Sequence, residues 1–289
     1  MVEIKEGLKP LPEDNRDLRL GSVFGQGDPK KLPVYSFKVC NPLVIKDQRN
    51  SDFCSAYGLT AVSEDQEGIE LSPFYQFAKT CQIMGEWDTW GADLRSACKS
   101  SIKYGSLSDE MPTNIAKDPF NKSLSADWTN WPSRFDYYAK KHRKRSYFRV
   151  DGGYYDTFDN VRLALWEGRS KKQSVLTGCK WRPEWLSAPG GIIPKEYSDR
   201  GFGHAFKIFG QKPIGNTMYL MCQLSSGDRV GDKGIFYMPR EVANRELTYG
   251  CFQFRDLDPK VAKKIQSSTG TLKDYPGTRF LLWLWGLFR

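Results

Sequence analysis

The chain has 289 residues, 39% of them hydrophobic, with nine Trp, 14 Tyr and 17 Phe, which gives it material for a sizeable core and excludes a disordered or fibrous class. A net charge of +9 and a pI of about 9.1 are compatible with an acidic partner, but no nucleic-acid-binding motif accompanies the charge. Seven widely spaced cysteines without a CxxC pair argue against a disulfide framework and a zinc site, and no apolar run approaches the roughly 20 residues of a membrane-spanning helix.

Residues 1–31 are rich in Pro, Gly and charge and read as an extended strap. Their start, Met1-Val2-Glu3-Ile4-Lys5-Glu6, lacks the apolar segment of a secretory signal. A short strand and loop over Pro33 to Asp47 lead to a helix from Cys54 to about Gln66, which Gly68 stops. Leu71-Ser72-Pro73 opens a second helix, Phe74 to Met84, and a third covers Leu94 to Tyr104 before Gly105. Residues 106–133 are irregular. Arg134 to Arg145 reads as a helix ending in a solvated basic run that includes His142, and Val161 to Glu167 as another short helix.

The pattern then changes to strands: Ser174 to Gly178, His204 to Phe209, Met218 to Gln223 and Gly234 to Met238. Helices first and strands second predict an α+β protein with a helical lobe, an antiparallel sheet lobe and a cleft between them. Residues 241–289 lie beyond this pattern and end in the apolar run Phe280 to Arg289, which reads as a segment that packs on its own domain or docks on a partner.

Two residues stand out chemically. Cys54 falls where a loop turns into a helix, and a helix N-terminus favours a thiolate. His204 heads an alternating apolar strand and is one of only two histidines, so it is the candidate base. Gln48, six residues before Cys54, is placed to donate its side-chain amide to an oxyanion together with the Cys54 backbone N–H. The other cysteines (Cys40, Cys81, Cys98, Cys179, Cys222 and Cys251) read as small core residues.

Gln48 and Cys54, Gly91-Ala92, Gly203-His204-Ala205, and Ser225-Ser226-Gly227 with Gly231 and Gly234-Ile235-Phe236-Tyr237 together resemble the papain-like cysteine peptidases. The resemblance runs over residues 32–240, about 210 residues, with a strap before it and an extension of residues 241–289 after it. It is of a divergent, microbial or viral kind. It implies a papain-like two-lobe fold, a thiolate–imidazolium pair of Cys54 and His204, and peptide hydrolysis through an acyl-enzyme. It also implies no cofactor and no metal. Gly91, Ala92 and Gly203 would contact the substrate backbone.

The departures are specific. Ser55 follows the nucleophile where the family has an aromatic. Ser51 and Thr89 stand at the positions of the family's disulfide, which implies a reducing, cytoplasmic setting. Leu224 takes the place of the asparagine that orients the histidine, and Ser226 that of the tryptophan covering it. Gln223 is the remaining side chain expected to accept from the imidazole. A papain fold without catalysis, serving as a binding or structural module in a viral or bacterial assembly, is the alternative these departures leave.

Overall fold

The computed structural model describes residues 7–12, 14–25, 27–87, 90–111 and 126–267. The expected helical region holds α2 (Cys54–Glu67), α3 (Pro73–Met84), α4 (Leu94–Lys103) and α5 (Ser133–Ala139), and a short helix α1 (Leu20–Phe24) interrupts the segment that was expected to be extended. Later come α6 (Thr157–Gly168), α7 (Arg240–Glu246) and α8 (Pro259–Gln266). The strands are β1 (Phe37–Lys38), β2 (Ser146–Arg149), β3 (Val175–Trp181), β4 (Phe202–Ile214), β5 (Thr217–Gln223), β6 (Ile235–Pro239) and β7 (Cys251–Arg255). The neighbouring strands pair antiparallel in the order β2-β7-β3-β4-β5-β6, with β1 added on β4.

The helical core gathers Phe53, Tyr57, Phe74, Phe77, Trp131 and Phe135. The larger core lies on one face of the sheet, around Trp181, Trp185, Phe206, Phe209, Phe236 and Leu224. A third cluster joins α2 and α4 to the other sheet face through Cys54, Leu59, Val62, Leu94, Leu176, Ala205 and Phe252. This cluster sets where the helical lobe meets the sheet.

Helix α2 is therefore buried along most of its length, from Cys54 to Asp65. Its polar side chains must be matched inside the protein. Lys207 of β4 meets Asp65 at 2.8 Å with both side chains only 1% exposed, and Ser174 donates to the same carboxylate. Lys46 pairs with Glu64 at 2.6 Å, and Glu64 also accepts from the Leu71 N–H at 2.9 Å. Two buried ion pairs thus fix the helix against the sheet and against the loop before Cys54.

The structure alters several expectations. Residues 251–255, expected in an extension, form a strand between β2 and β3, so no boundary at 240 divides the sheet. Strand β2 was also hidden. The basic run ends α5 at Ala139, turns over Lys140–His142 and then becomes extended. It is not wholly solvated: His142 and Lys144 both bond to Glu67. The tail from Phe280 to Arg289 lies outside the described residues.

Candidate functional site

Cys54 is the first residue of α2. Phe53 before it stacks on Phe77 with ring centroids 4.0 Å apart and meets Phe74 edge-on, which anchors the turn in the helical lobe. The thiol is fully buried, and burial pushes its pKa up to about 12. The backbone N–H groups of Ala205, Ser55 and Cys54 act in the opposite direction, while the Asp52 carboxylate adds to the rise.

His204 lies on β4 opposite Cys179, on the sheet face that carries Trp181 and Phe206. Its ring is edge-on to Trp181 at 6.1 Å and to Phe202 at 6.2 Å. Neither ring nitrogen has a hydrogen-bond partner among the described residues, the Cys54 thiol included. Burial alone brings its pKa down to about 3. The structure does not bring the two together: Cys54 packs with Ala205 and Leu176 on one face of the sheet and the His204 ring points to the other, so the pair expected from the resemblance is not formed.

Gln48 is fully buried between the loop before Cys54 and the Ser225-Ser226 segment. Its N–H donates to the Ser225 carbonyl at 2.8 Å, and its Oε1 accepts from the Ser225 hydroxyl. Its Nε2 donates to the Ser51 carbonyl at 2.8 Å, which uses one of two amide hydrogens. Asp47 pairs with Ser226 beside it.

Gln223 does not orient His204. It pairs in register with Lys207, three residues along β4, so it faces the opposite side of the sheet. Its Nε2 donates to the Val44 carbonyl at 3.0 Å. Leu224 is buried in the Trp181–Phe206 core and offers the ring no acceptor.

Two of the three residues expected to hold a substrate backbone, Ala92 and Gly203, already hold one. Gly7 and Leu8 donate their N–H groups to the Gly203 carbonyl, both at 3.2 Å. Ala92 donates to the Gly7 carbonyl at 3.0 Å and accepts from the Lys9 N–H at 3.2 Å, so the strap runs parallel to Ala92. Leu8 is 1% exposed, in one cluster with Cys54, Ala205 and Leu94. It abuts Gly178 and Gly203 near Tyr249, a residue of the segment once set apart. Ion pairs tie the strap down: Lys9 with Glu86, and Asp17 with Arg95 through two bonds of 2.9 and 2.6 Å.

The seat of this segment was not legible in the sequence. The one available signal was an isolated Leu8 between charged residues, followed by Pro10, and that signal is weak.

The fold these elements make is papain-like, with helical and sheet lobes meeting at Cys54 and β4. Xylellain, a cysteine protease from Xylella fastidiosa, superposes with a TM-score of 0.69 at 18% identity, over 87% of this chain and 96% of that one. Digestive procathepsin L 3 of Tenebrio molitor larval midgut gives 0.56 at 16% identity, over 82% and 74% of the two chains. Procathepsin B S9 from Trypanosoma congolense gives 0.55 at 15%, over 87% and 82%. No family model matches the chain, and no curated protein does. Among the described residues no helix is long and apolar enough to cross a membrane.

Proposed function

We propose that this chain is a cysteine peptidase whose cleft is covered by its own strap. One observation carries the reading. An extended main chain, Gly7 to Lys9, lies beside the helix start that bears Cys54 and is hydrogen-bonded by Ala92 on one wall and Gly203 on the other. A cleft that seats a peptide backbone next to a thiol at a helix N-terminus suits acyl transfer from a peptide.

In this reading β4 turns the His204 ring from the Trp181 face to the Cys54 face once the strap leaves, and the Cys54 sulfur then attacks the scissile carbonyl carbon while His204 takes the thiol proton. The carbonyl electron pair moves onto oxygen, where the Cys54 N–H and the second Nε2 hydrogen of Gln48 receive it. The C–N bond then breaks, and His204 passes its proton to the departing amine. Water attacks the thioester, His204 takes the water proton and returns it to sulfur, and the acid product leaves. Ala92 and Gly203 hold the substrate main chain as they now hold the strap, with Gly91 shaping the turn. Seven free thiols support the reducing, cytoplasmic setting.

The test opens the cleft with Leu8→Asp, which puts a carboxylate into an apolar seat. This variant is expected to hydrolyse unfolded protein substrates and to react at Cys54 with a papain-directed affinity epoxide. Adding Cys54→Ala removes both while the denaturation curve stays in place. Turnover that survives Cys54→Ala sinks the reading.

A second reading, a peptide-binding module without catalysis, is favoured by the unpartnered His204 nitrogens and by Leu224. A Leu8→Asp chain that binds peptides in calorimetry, yet reacts at Cys54 no faster than a buried thiol, selects it.

A further inference from the structure

Two loops frame the path of the strap: residues 51–53 before α2 and residues 90–92 before α4. All the cysteines are free, so no disulfide joins these loops, and the Ser51 hydroxyl is spent on the Gln48 carbonyl at 2.8 Å. A hydrogen bond spans them instead. The Gly91 N–H donates to the Asp52 Oδ2 at 3.0 Å.

Gly7 passes through the gap this bond bridges. A Cβ on Gly7 would come within 2.4 Å of the Asp52 carbonyl oxygen, and one on Gly91 within 2.3 Å of the Gly7 carbonyl oxygen. Gly91 also has a φ of 66°, which side chains rarely adopt. The gap is one backbone wide, and its width follows the Asp52–Gly91 distance.

We propose that Asp52 is a positioning residue whose carboxylate sets the width of the slot in which Ala92 pairs with an extended peptide, strap or substrate. The substrate half of this statement rests on the peptidase reading, whereas the strap half does not. The carboxylate has a cost at this position, because its charge sits two residues before Cys54 and opposes the thiolate. Its advantage is the bond to Gly91, since a charged acceptor makes a shorter and stronger hydrogen bond than a neutral one.

Hydrogen exchange on the full chain separates the parts. Asp52→Ala removes the acceptor, and Asp52→Asn keeps an acceptor oxygen without the charge. Losing a hydrogen bond to a charged group is expected to speed exchange at the Ala92 and Lys9 amides by about 10–100-fold. The β4–β5 core amides are expected to stay as in the parent, and Asp52→Asn to remain within a few-fold of it. Parent-like exchange at Ala92 and Lys9 in Asp52→Ala overturns the proposal. So does an Asp52→Asn chain as fast as Asp52→Ala, or core amides that accelerate together with Ala92.

On the Leu8→Asp background, Asp52→Ala is expected to raise KM about tenfold with kcat unchanged, and Asp52→Asn to restore KM. A fall in kcat with KM unmoved also overturns it. Absence of turnover in Leu8→Asp itself counts against the peptidase reading, and the exchange experiment still decides the role of Asp52.

Discussion

The two candidate site residues, Cys54 and His204, are buried alike on opposite faces of the sheet but held differently. Cys54 is fixed by main chain and ion pairs: the helix start, the Ala205 N–H, and α2 locked by Lys207–Asp65 and Lys46–Glu64. His204 is fixed by shape, with Trp181 and Phe202 edges against its ring and no hydrogen bond on either nitrogen. Backbone donors act on Cys54 whatever the neighbouring side chains are. The hold on His204 depends on ring packing, which is weaker in direction than a hydrogen bond to an orienting amide.

The largest expected effect tests whether the cover, not the pocket itself, silences Cys54. A thiol at about 12 is almost wholly protonated at neutral pH, whereas a free thiol near ~8.5 is a few per cent thiolate. Leu8→Asp is therefore expected to speed alkylation of Cys54 at pH 7.5 by about 10²–10³-fold, read by peptide mass spectrometry. An unchanged rate would place the silencing in the pocket and remove the contrast between a prepared nucleophile and its cover.

Next is the lock on α2. Lys207→Met leaves the Asp65 carboxylate buried without its ion-pair partner. Breaking such a pair on one side costs about 3–5 kcal/mol. Urea denaturation is expected to show that loss, and the double variant Lys207→Met/Asp65→Leu to recover most of it. A loss below about 1 kcal/mol would mean that the Lys207–Asp65 pair does not lock α2 against the sheet.

Much of this was legible in the chain. The helices from Cys54, Pro73 and Leu94 follow from periodicity, with Gly68 and Gly105 as stops of the first and third, and β3 to β6 follow from alternation. The Gln48–Cys54 spacing placed an amide near a helix start. Strands β2 and β7 were not legible, because Ser146–Arg149 continues a basic run, and Cys251–Arg255 buries Gln253 and Arg255 among apolar neighbours. The orienting role given to Gln223 failed on parity, since one residue of register moves a side chain to the other face. The strap's seat is a backbone pairing over very few residues, which composition cannot signal.

Protonation gives a third, smaller test. His204 has a folded pKa of about 3, below the ~6.5 of an unfolded chain, so between these values the unfolded chain binds more protons. The stability linked to this residue is full above pH 6.5 and is lost as pH falls towards 3, up to about 5 kcal/mol. His204→Phe keeps a ring in the same aromatic surroundings and removes that loss. The difference in unfolding free energy between parent and variant is expected to be flat above pH 7 and to grow in the variant's favour from pH 6.5 to 4. A difference independent of pH would mean that the ring is solvated and not clamped.

The smallest effect bears on the clamp itself. Phe202 is half-buried, pairs in register with Trp181 and meets the His204 ring edge-on. An aromatic contact of this kind contributes about 0.5–1.5 kcal/mol beyond its buried area. Phe202→Leu keeps apolar bulk and removes the edge, freeing the ring to turn. On the Leu8→Asp background it is expected to lower kcat about 2–10-fold, with KM and the pH dependence of Cys54 alkylation unchanged. A kcat that does not move would leave Trp181 to hold the ring from one side, and His204 would then be positioned by a single face of packing.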